Sequence, residues 1–198
     1  MGLDSPHIVF ASPAFADSVE EAEEALAIFS TCPVVDKAVV AVPYMPSDLP
    51  TWFTAVMSNY LSDYRYTADN MWTSAAAEDL LPAVRNIIET MPDHPSHFLW
   101  LNWGPSPPRP DMAYGVEDEV YLALYGAWKN ATDDEKYGDW ARSNMAAMSR
   151  LATGIQLADE NLGQRPARFA SDEAMARLDK VRVAYDPGGL FNTWMGRL

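Results

Sequence analysis

The chain has 198 residues, 48% of them hydrophobic and 21% charged, and 14 basic against 28 acidic side chains leave a formal net charge of −14. One domain with ample apolar residues for a core is the expected organisation, and 12% aromatic residues, with seven Trp, exclude wholesale disorder. The acidic balance argues against nucleic acid or an anionic membrane as partner, and a single cysteine, Cys32, excludes a disulfide framework or a thiolate metal cluster within one chain.

In chain order, His7–Ala11 is a short β-branched and aromatic run closed by Ser12-Pro13, which predicts a strand. The wider apolar stretch His7–Ala16 lacks a basic leader and is far short of the roughly 18 residues of a membrane helix. No signal peptide is expected, and the cytoplasm is the expected compartment. Ser18-Val19-Glu20-Glu21 is a capping box, and Ala22, Ala25, Leu26 and Phe29 continue it at helical spacing. Lys37–Pro43 predicts a strand, and Pro50–Ser58 a short helix with proline in its first turn. Tyr64–Trp72 predicts a strand. Ser74 is expected to cap a helix reaching Met91, His97–Trp103 predicts a further strand, and Gly104–Pro110 is a proline-rich loop. Glu119–Trp128 is a long alternating strand. Thr132-Asp133-Asp134-Glu135 reads as a second capping box opening a helix to about Leu151, and Asp172–Tyr185 is the last helix.

Helices between strands, with few long crossovers, predict a single α+β domain over residues 1–198: a mostly antiparallel sheet of about five strands with helices on one face, ferredoxin-like. Val120, Leu122 and Leu124 share one parity of the long strand and are expected to face the helices, leaving Tyr121, Ala123 and Tyr125 on the other. On His97–Trp103 the parities are Leu99 and Leu101 against Phe98, Trp100 and Asn102. Pairing aliphatic with aliphatic gives a second face of Phe98, Trp100, Asn102, Tyr121 and Tyr125. That face is either half-exposed structure or the floor of a pocket for a flat ligand.

These segments, taken together, resemble the C-terminal, substrate-binding half of berberine-bridge-type FAD-linked oxidases of the vanillyl-alcohol-oxidase superfamily. The similarity is carried by Arg177-Leu178 through Tyr185-Asp186-Pro187 to Phe191-Asn192, by Tyr64–Trp72 and the helix after it, by Glu119–Trp128 with its Ala127-Trp128 ending, and by Pro43-Tyr44. The segment Tyr114-Gly115-Val116-Glu117 stands where that family has a Phe-x-His-Arg run. Ala123 stands where many members place a catalytic Glu, and Ala174-Met175 where they have Asn-Tyr. The resemblance implies a small-molecule substrate and a flavin held by a separate domain. No cofactor is expected on this chain alone, FAD entering only if a partner flavin domain exists, and the expected protein partner is a second copy in a homodimer or a separate flavin-domain subunit.

By that resemblance Tyr121 and Tyr125 underlie the substrate, where a phenol can act as acid, base or anchor. Asp69 is the alternative base. Arg65 and Asp69 fall on one face of their strand, where they position a polar substrate or form a surface ion pair. Phe98, Trp100, Asn102 and Tyr114 complete the expected substrate-binding set. His94 and His97 lie in a helix-to-strand turn without a third ligand, so no metal site is expected. The functions in contention are the substrate-binding half of an FAD-linked oxidoreductase, a flavin-free lyase, isomerase or hydratase that reuses the pocket, and a non-catalytic small-molecule-binding module.

Overall fold

The structure is a computed structural model and describes residues 7–42, 44–104, 115–159 and 161–191. It divides into two compact units, Met1–Ser58 and Asn59–Leu198. Among the described residues no helix is long and apolar enough to cross a membrane.

In the first unit, α1 (Val19–Leu26) begins at Ser18, whose hydroxyl accepts the Glu21 N–H at 3.1 Å. The Glu21 carboxylate reaches back to the Asp17 N–H at 3.0 Å, one residue earlier than a strict capping box would place it. α2 (Leu49–Met57) begins at Asp48, which accepts the Thr51 N–H at 2.7 Å. Tyr44 donates its hydroxyl to the Leu26 carbonyl at 2.8 Å. The strands expected at His7–Ala11 and Lys37–Pro43 are corrected: their described residues form none, and Ile8 and Val39 are 78% and 80% exposed. β-branched composition favours a strand only where a partner strand completes the ladder, and neither run has one here. No described residue of this unit is buried.

The second unit is built on β1 (Arg65–Thr73), β2 (His97–Asn102) and β3 (Val120–Trp128), antiparallel and in the order β1-β3-β2. The fold is α+β with an antiparallel sheet, as expected, but the described residues give three strands and not about five. β3 lies in the middle, which is why its side chains from Tyr121 to Trp128 are all buried. One sheet face carries Met71, Leu122 and Leu124 and packs on Leu80 and Ile87 of α3 (Ala77–Thr90) and on Trp140, Ala141 and Met145 of α5 (Trp140–Ala147), with Met148 just beyond it. Each such aliphatic side chain contributes about 1.5–3 kcal/mol on burial. Gly126 permits the close approach of α5: a Cβ there would lie 2.8 Å from a Thr67 methyl and 3.0 Å from the Trp140 ring.

Two caps differ from expectation. α3 starts at Ala77 without a side-chain cap, and the hydroxyl that organises the turn belongs to Thr73, not Ser74. Thr73 accepts the Ala75 N–H at 3.0 Å and donates to the Leu151 carbonyl at 2.7 Å. The helix expected from Thr132 breaks into a 3-10 turn at Ala131–Asp133, α4 (Asp134–Tyr137) and α5, because Asp134 turns to pair with Arg65 and the chain bends at Gly138. A Cβ at Gly138 would meet the Asp134 carbonyl at 2.7 Å. α6 (Asp172–Tyr185) lies within its expected bounds, with the Ser171 hydroxyl accepting the Ala174 N–H at 3.1 Å.

Candidate functional site

Residues directly opposite in an antiparallel pair share a face, so the register assigns every strand side chain. Tyr121, Ala123 and Tyr125 oppose Trp72, Asn70 and Ala68 on β1, and Leu101, Leu99 and His97 on β2. Phe98, Trp100 and Asn102 oppose Leu124, Leu122 and Val120, on the helix-covered face. The expected grouping of Phe98, Trp100 and Asn102 with Tyr121 and Tyr125 is therefore corrected. Trp100 instead donates its indole N–H to the Asn102 side-chain oxygen at 3.0 Å.

Arg65 and Asp69 do share a face, but it too is the helix side, opposite Trp128 and Leu124. Arg65 grips Asp134 with two contacts of 2.5 and 2.7 Å, and Asp134 also accepts the Trp128 indole N–H at 2.7 Å. The guanidinium first, then the indole, holds the Asp134 carboxyl below the usual range. Asp69 is fully buried and paired with Arg165, whose guanidinium donates to both carboxylate oxygens at 2.6 and 2.5 Å. It also accepts the Asn70 N–H at 2.8 Å. Tyr114 lies outside the described residues.

What the second face does gather is a cluster around Tyr125. His97 stacks on the Tyr125 ring at 4.6 Å and 21°, and Tyr60 meets both edge-on at 5.6 and 5.5 Å. Tyr125 donates its hydroxyl to Asp159 at 2.7 Å. Burial first, then the bond to the Asp159 carboxylate, pushes the Tyr125 phenol far above its usual range, so it stays protonated and acts as a donor. Burial raises the Tyr60 phenol and lowers the His97 imidazole from their ordinary values. Further along, Tyr121 packs on Trp72 at 4.9 Å, and Trp72 meets Trp103 edge-on at 5.6 Å. The Trp72 indole N–H is buried with no hydrogen-bond partner among the described residues.

Sequence reasoning did not find Tyr60, His97 or Asp159 as site residues. His97 was legible as the first residue of β2, with the same parity as Leu99, once that parity is assigned to the Tyr125 face. Asp159 reaches Tyr125 from 34 residues away, through a loop without periodicity, and leaves no local signal. Among the described residues no group of three His, Cys, Asp or Glu side chains is placed to hold a metal ion.

The cluster meets solvent at the outer edge of β1. Near Trp72 that edge is covered: the Trp72 N–H donates to Gly154 at 2.8 Å, and the Thr153 N–H to Trp72 at 2.9 Å. Asn70 extends the cover with its side chain, donating to the Gln156 carbonyl at 3.0 Å and accepting the Gln156 N–H at 2.8 Å. Beyond Gln156 the chain leaves the strand and a cleft of about 540 Å³ opens, lined by Arg65, Tyr66, Ala68, Trp128, Asp159, Asn161 and Gln164 among others.

No protein-family model matches the chain. It is 27% identical over 128 residues to the FAD-linked oxidoreductase janO of Penicillium janthinellum, covering 62% of this chain and 28% of that protein. It is 26% identical over 143 residues to the FAD-linked oxidoreductase ptmO of Penicillium ochrochloron, covering 68% and 32%. With the FAD-linked oxidoreductase nodO of Hypoxylon pulicicidum it shares 22% over 204 residues, covering 93% and 41%. Among solved structures, GilR, an oxidoreductase that catalyses the terminal step of gilvocarcin biosynthesis, superposes with a TM-score of 0.66 at 20% identity, over 89% of this chain and 42% of GilR. 6-Hydroxy-D-nicotine oxidase from Arthrobacter nicotinovorans gives 0.56 at 16%, over 86% and 40%. The chain is thus a relative of the FAD-linked oxidoreductases. It has the fold of part of a vanillyl-alcohol-oxidase-type flavoprotein and spans less than half the length of these relatives.

Proposed function

We propose that this chain supplies the substrate-binding side of an FAD-linked oxidoreductase acting on a small, ring-bearing organic substrate, with the flavin held by a separate flavin-binding partner. The observation that carries this reading is the Tyr125–Asp159 pair, which sets an acid–base couple among aromatic rings beside an open cleft, in a chain related to FAD-linked oxidoreductases. The exposed Tyr66 ring offers the substrate a flat surface. Asp159 is the proton acceptor of the pair, and Tyr125 fixes the direction of its carboxylate.

The charges support a chain that does not hold FAD by itself: Arg65, which lines the cleft, is held by Asp134, and Arg165, which bonds the edge of β1, by Asp69, so neither guanidinium is free to meet a pyrophosphate. Calorimetric titration of FAD into the isolated chain is expected to show no sub-micromolar binding. Co-expression with the flavin-binding part of a relative such as ptmO is expected to give a yellow complex that oxidises substrate. Tyr125→Phe and Tyr121→Phe in that complex should lower turnover while the chain stays folded, since each keeps the ring and loses only the hydroxyl. Sub-micromolar FAD binding by the chain alone overturns the division of labour. Turnover of a substrate by the colourless chain favours the lyase, isomerase or hydratase reading, which the same acid–base pair would also serve.

A further inference from the structure

The sheet has two outer edges, and they differ. At β1 the outward groups are covered: the Trp72 N–H and C=O meet Gly154 and Thr153, and the Asn70 carbonyl meets Arg165 at 2.7 Å. Peptide groups alternate in direction along an antiparallel strand, so Met71 and Thr73 bond inward to Leu122 and Val120 of β3. The opposite parity of β3, Tyr121, Ala123 and Tyr125, therefore bonds to Leu101, Leu99 and His97 of β2. The Trp103 N–H continues that set, donating to the Glu119 carbonyl at 2.7 Å. The backbone N–H and C=O of Phe98, Trp100 and Asn102 are left pointing away from β3, and no described residue bonds them.

We infer that this open edge of β2 is the docking surface for a second copy of the chain, the two β2 strands pairing antiparallel about a two-fold axis at Trp100.

Symmetry is the first argument. The open residues are spaced evenly about Trp100. With Trp100 opposite its own copy, Phe98 falls opposite Asn102 of the second copy and Asn102 opposite its Phe98, so every open N–H of both strands meets an open carbonyl. An axis at Leu99 would instead set Asn102 against Ser96, whose N–H is already bonded to the Asp93 carbonyl at 3.1 Å. An axis at Leu101 would set Phe98 against Gly104, beyond the end of the strand. The side chains agree with the axis at Trp100. Directly opposite residues share a face, so indole meets indole on the helix side and Leu99 meets Leu101 on the other. Trp100 and Leu101, 36% and 37% exposed, are both covered by such a pairing.

Charge selects the occupant. A chain of net charge −14 repels its own copy over most of its surface. β2 contains no Asp, Glu, Lys, Arg or Pro, the residues that elsewhere blunt an exposed edge, so a copy meets no like charge along it. Its six residues are few beside the roughly 20–30 a side of a standard interface, which makes the dimer weak and concentration-dependent. Salt screens the repulsion between the remaining surfaces and tightens it.

Sedimentation velocity on the full chain from about 1 to 200 μM reads the assembly. The mass is expected to rise from 22.0 kDa to that of two chains, and to do so at lower protein concentration in about 0.5 M than in about 0.05 M NaCl. Trp100→Lys and Trp100→Glu each set like charges opposite one another and should weaken association by about tenfold or more. An equimolar mixture of the two should restore the dimer, because the axis sets each Lys opposite a Glu. Val183→Lys, on an exposed position of α6, should change association by no more than about threefold. By NMR at about 200 μM, the Phe98 and Asn102 amides should exchange about threefold or more slowly in the parent than in Trp100→Lys. The Leu99 and Leu101 amides bond β3 in either state, so their unchanged exchange reports that the variant is folded.

A single-chain mass up to about 200 μM in about 0.5 M NaCl, undiminished dimers of folded Trp100→Lys, a Lys–Glu mixture that stays monomeric, or fast Phe98 and Asn102 amides in the dimer each overturns the proposal. Protection of those amides that appears only on adding the flavin-binding part of a relative assigns the edge to that partner and overturns it as well.

Discussion

Replacing Arg165 by Met should destabilise the second unit by about 3–5 kcal/mol, the usual cost of leaving a buried charge without its partner. The magnitude follows from what Asp69 loses. Its carboxylate is fully buried and accepts three hydrogen bonds: two from the Arg165 guanidinium, at 2.6 and 2.5 Å, and one from the Asn70 N–H, at 2.8 Å. Methionine fills the space of the side chain, so packing changes little, but it withdraws two charge-assisted bonds and the neutralising cation together. The Asn70 carbonyl also loses a donor at 2.7 Å, worth about 1 kcal/mol. Coulomb attraction alone is a poor guide here, since forming the pair already cost the desolvation of both ions. The discriminating variant is therefore Asp69→Asn together with Arg165→Met, which buries no charge and should recover part of the loss. Urea unfolding at pH 7, with linear extrapolation, measures both variants against the parent chain. A loss below about 1 kcal/mol for Arg165→Met, or no recovery in the double variant, would show that water reaches Asp69 and refute the reasoning.

Gly154→Ala should cost about 1–3 kcal/mol or more in the same assay, because the new Cβ would lie 2.3 Å from a Val116 methyl and 2.7 Å from the Arg168 carbonyl oxygen, itself bonded to Ile155. Gly104→Ala, where nothing lies within 4 Å, should change stability by no more than about 0.5 kcal/mol. For His97, burial sets the imidazole below its usual pKa of about 6.5, so as pH falls the unfolded chain takes up the proton first. The His97 contribution is therefore flat above about pH 6.5 and turns unfavourable as pH drops below it. The urea midpoint of the parent should fall between about pH 7 and 5 more steeply than that of His97→Phe, and equal slopes would dismiss the assignment.

The elements legible in the sequence are those whose signal is local. β3 is legible to within a residue from its long alternation, β1 from its β-rich aromatic run, and α6 because Asp186-Pro187-Gly188-Gly189 marks its end. The helix-facing set Val120, Leu122 and Leu124 followed from β3 alone. β2 was placed but turned over, since both of its parities are apolar and only pairing with β3 decides which faces the helices. The strands expected in the first unit failed for a related reason: Lys37–Pro43 has the composition of a strand, but composition does not supply a neighbour. At the candidate site, Tyr125 was read from the sequence. Its partners were not, because Tyr60 and Asp159 come to it through tertiary contacts that no spacing encodes.

The cover that Gly154–Gln156 lays along β1 also separates what can vary from what cannot. The anchors on either side of the cleft, Asn70 on Gln156 and Arg165 on Asp69, are fastened to the sheet, and the core face of β1 lies beyond them. Between them Leu157, Ala158, Gly163 and Gln164 are exposed while Leu162 is buried beside Ile155 and Phe169, and at the exposed positions lengthening a loop costs little, about 0.6 kcal/mol per doubling. Insertions or deletions there would widen, narrow or rechemicalise the cleft while leaving the register of the sheet intact. The shape of the cleft is thus set by the length of that loop, and the folding of the sheet by the anchors that flank it.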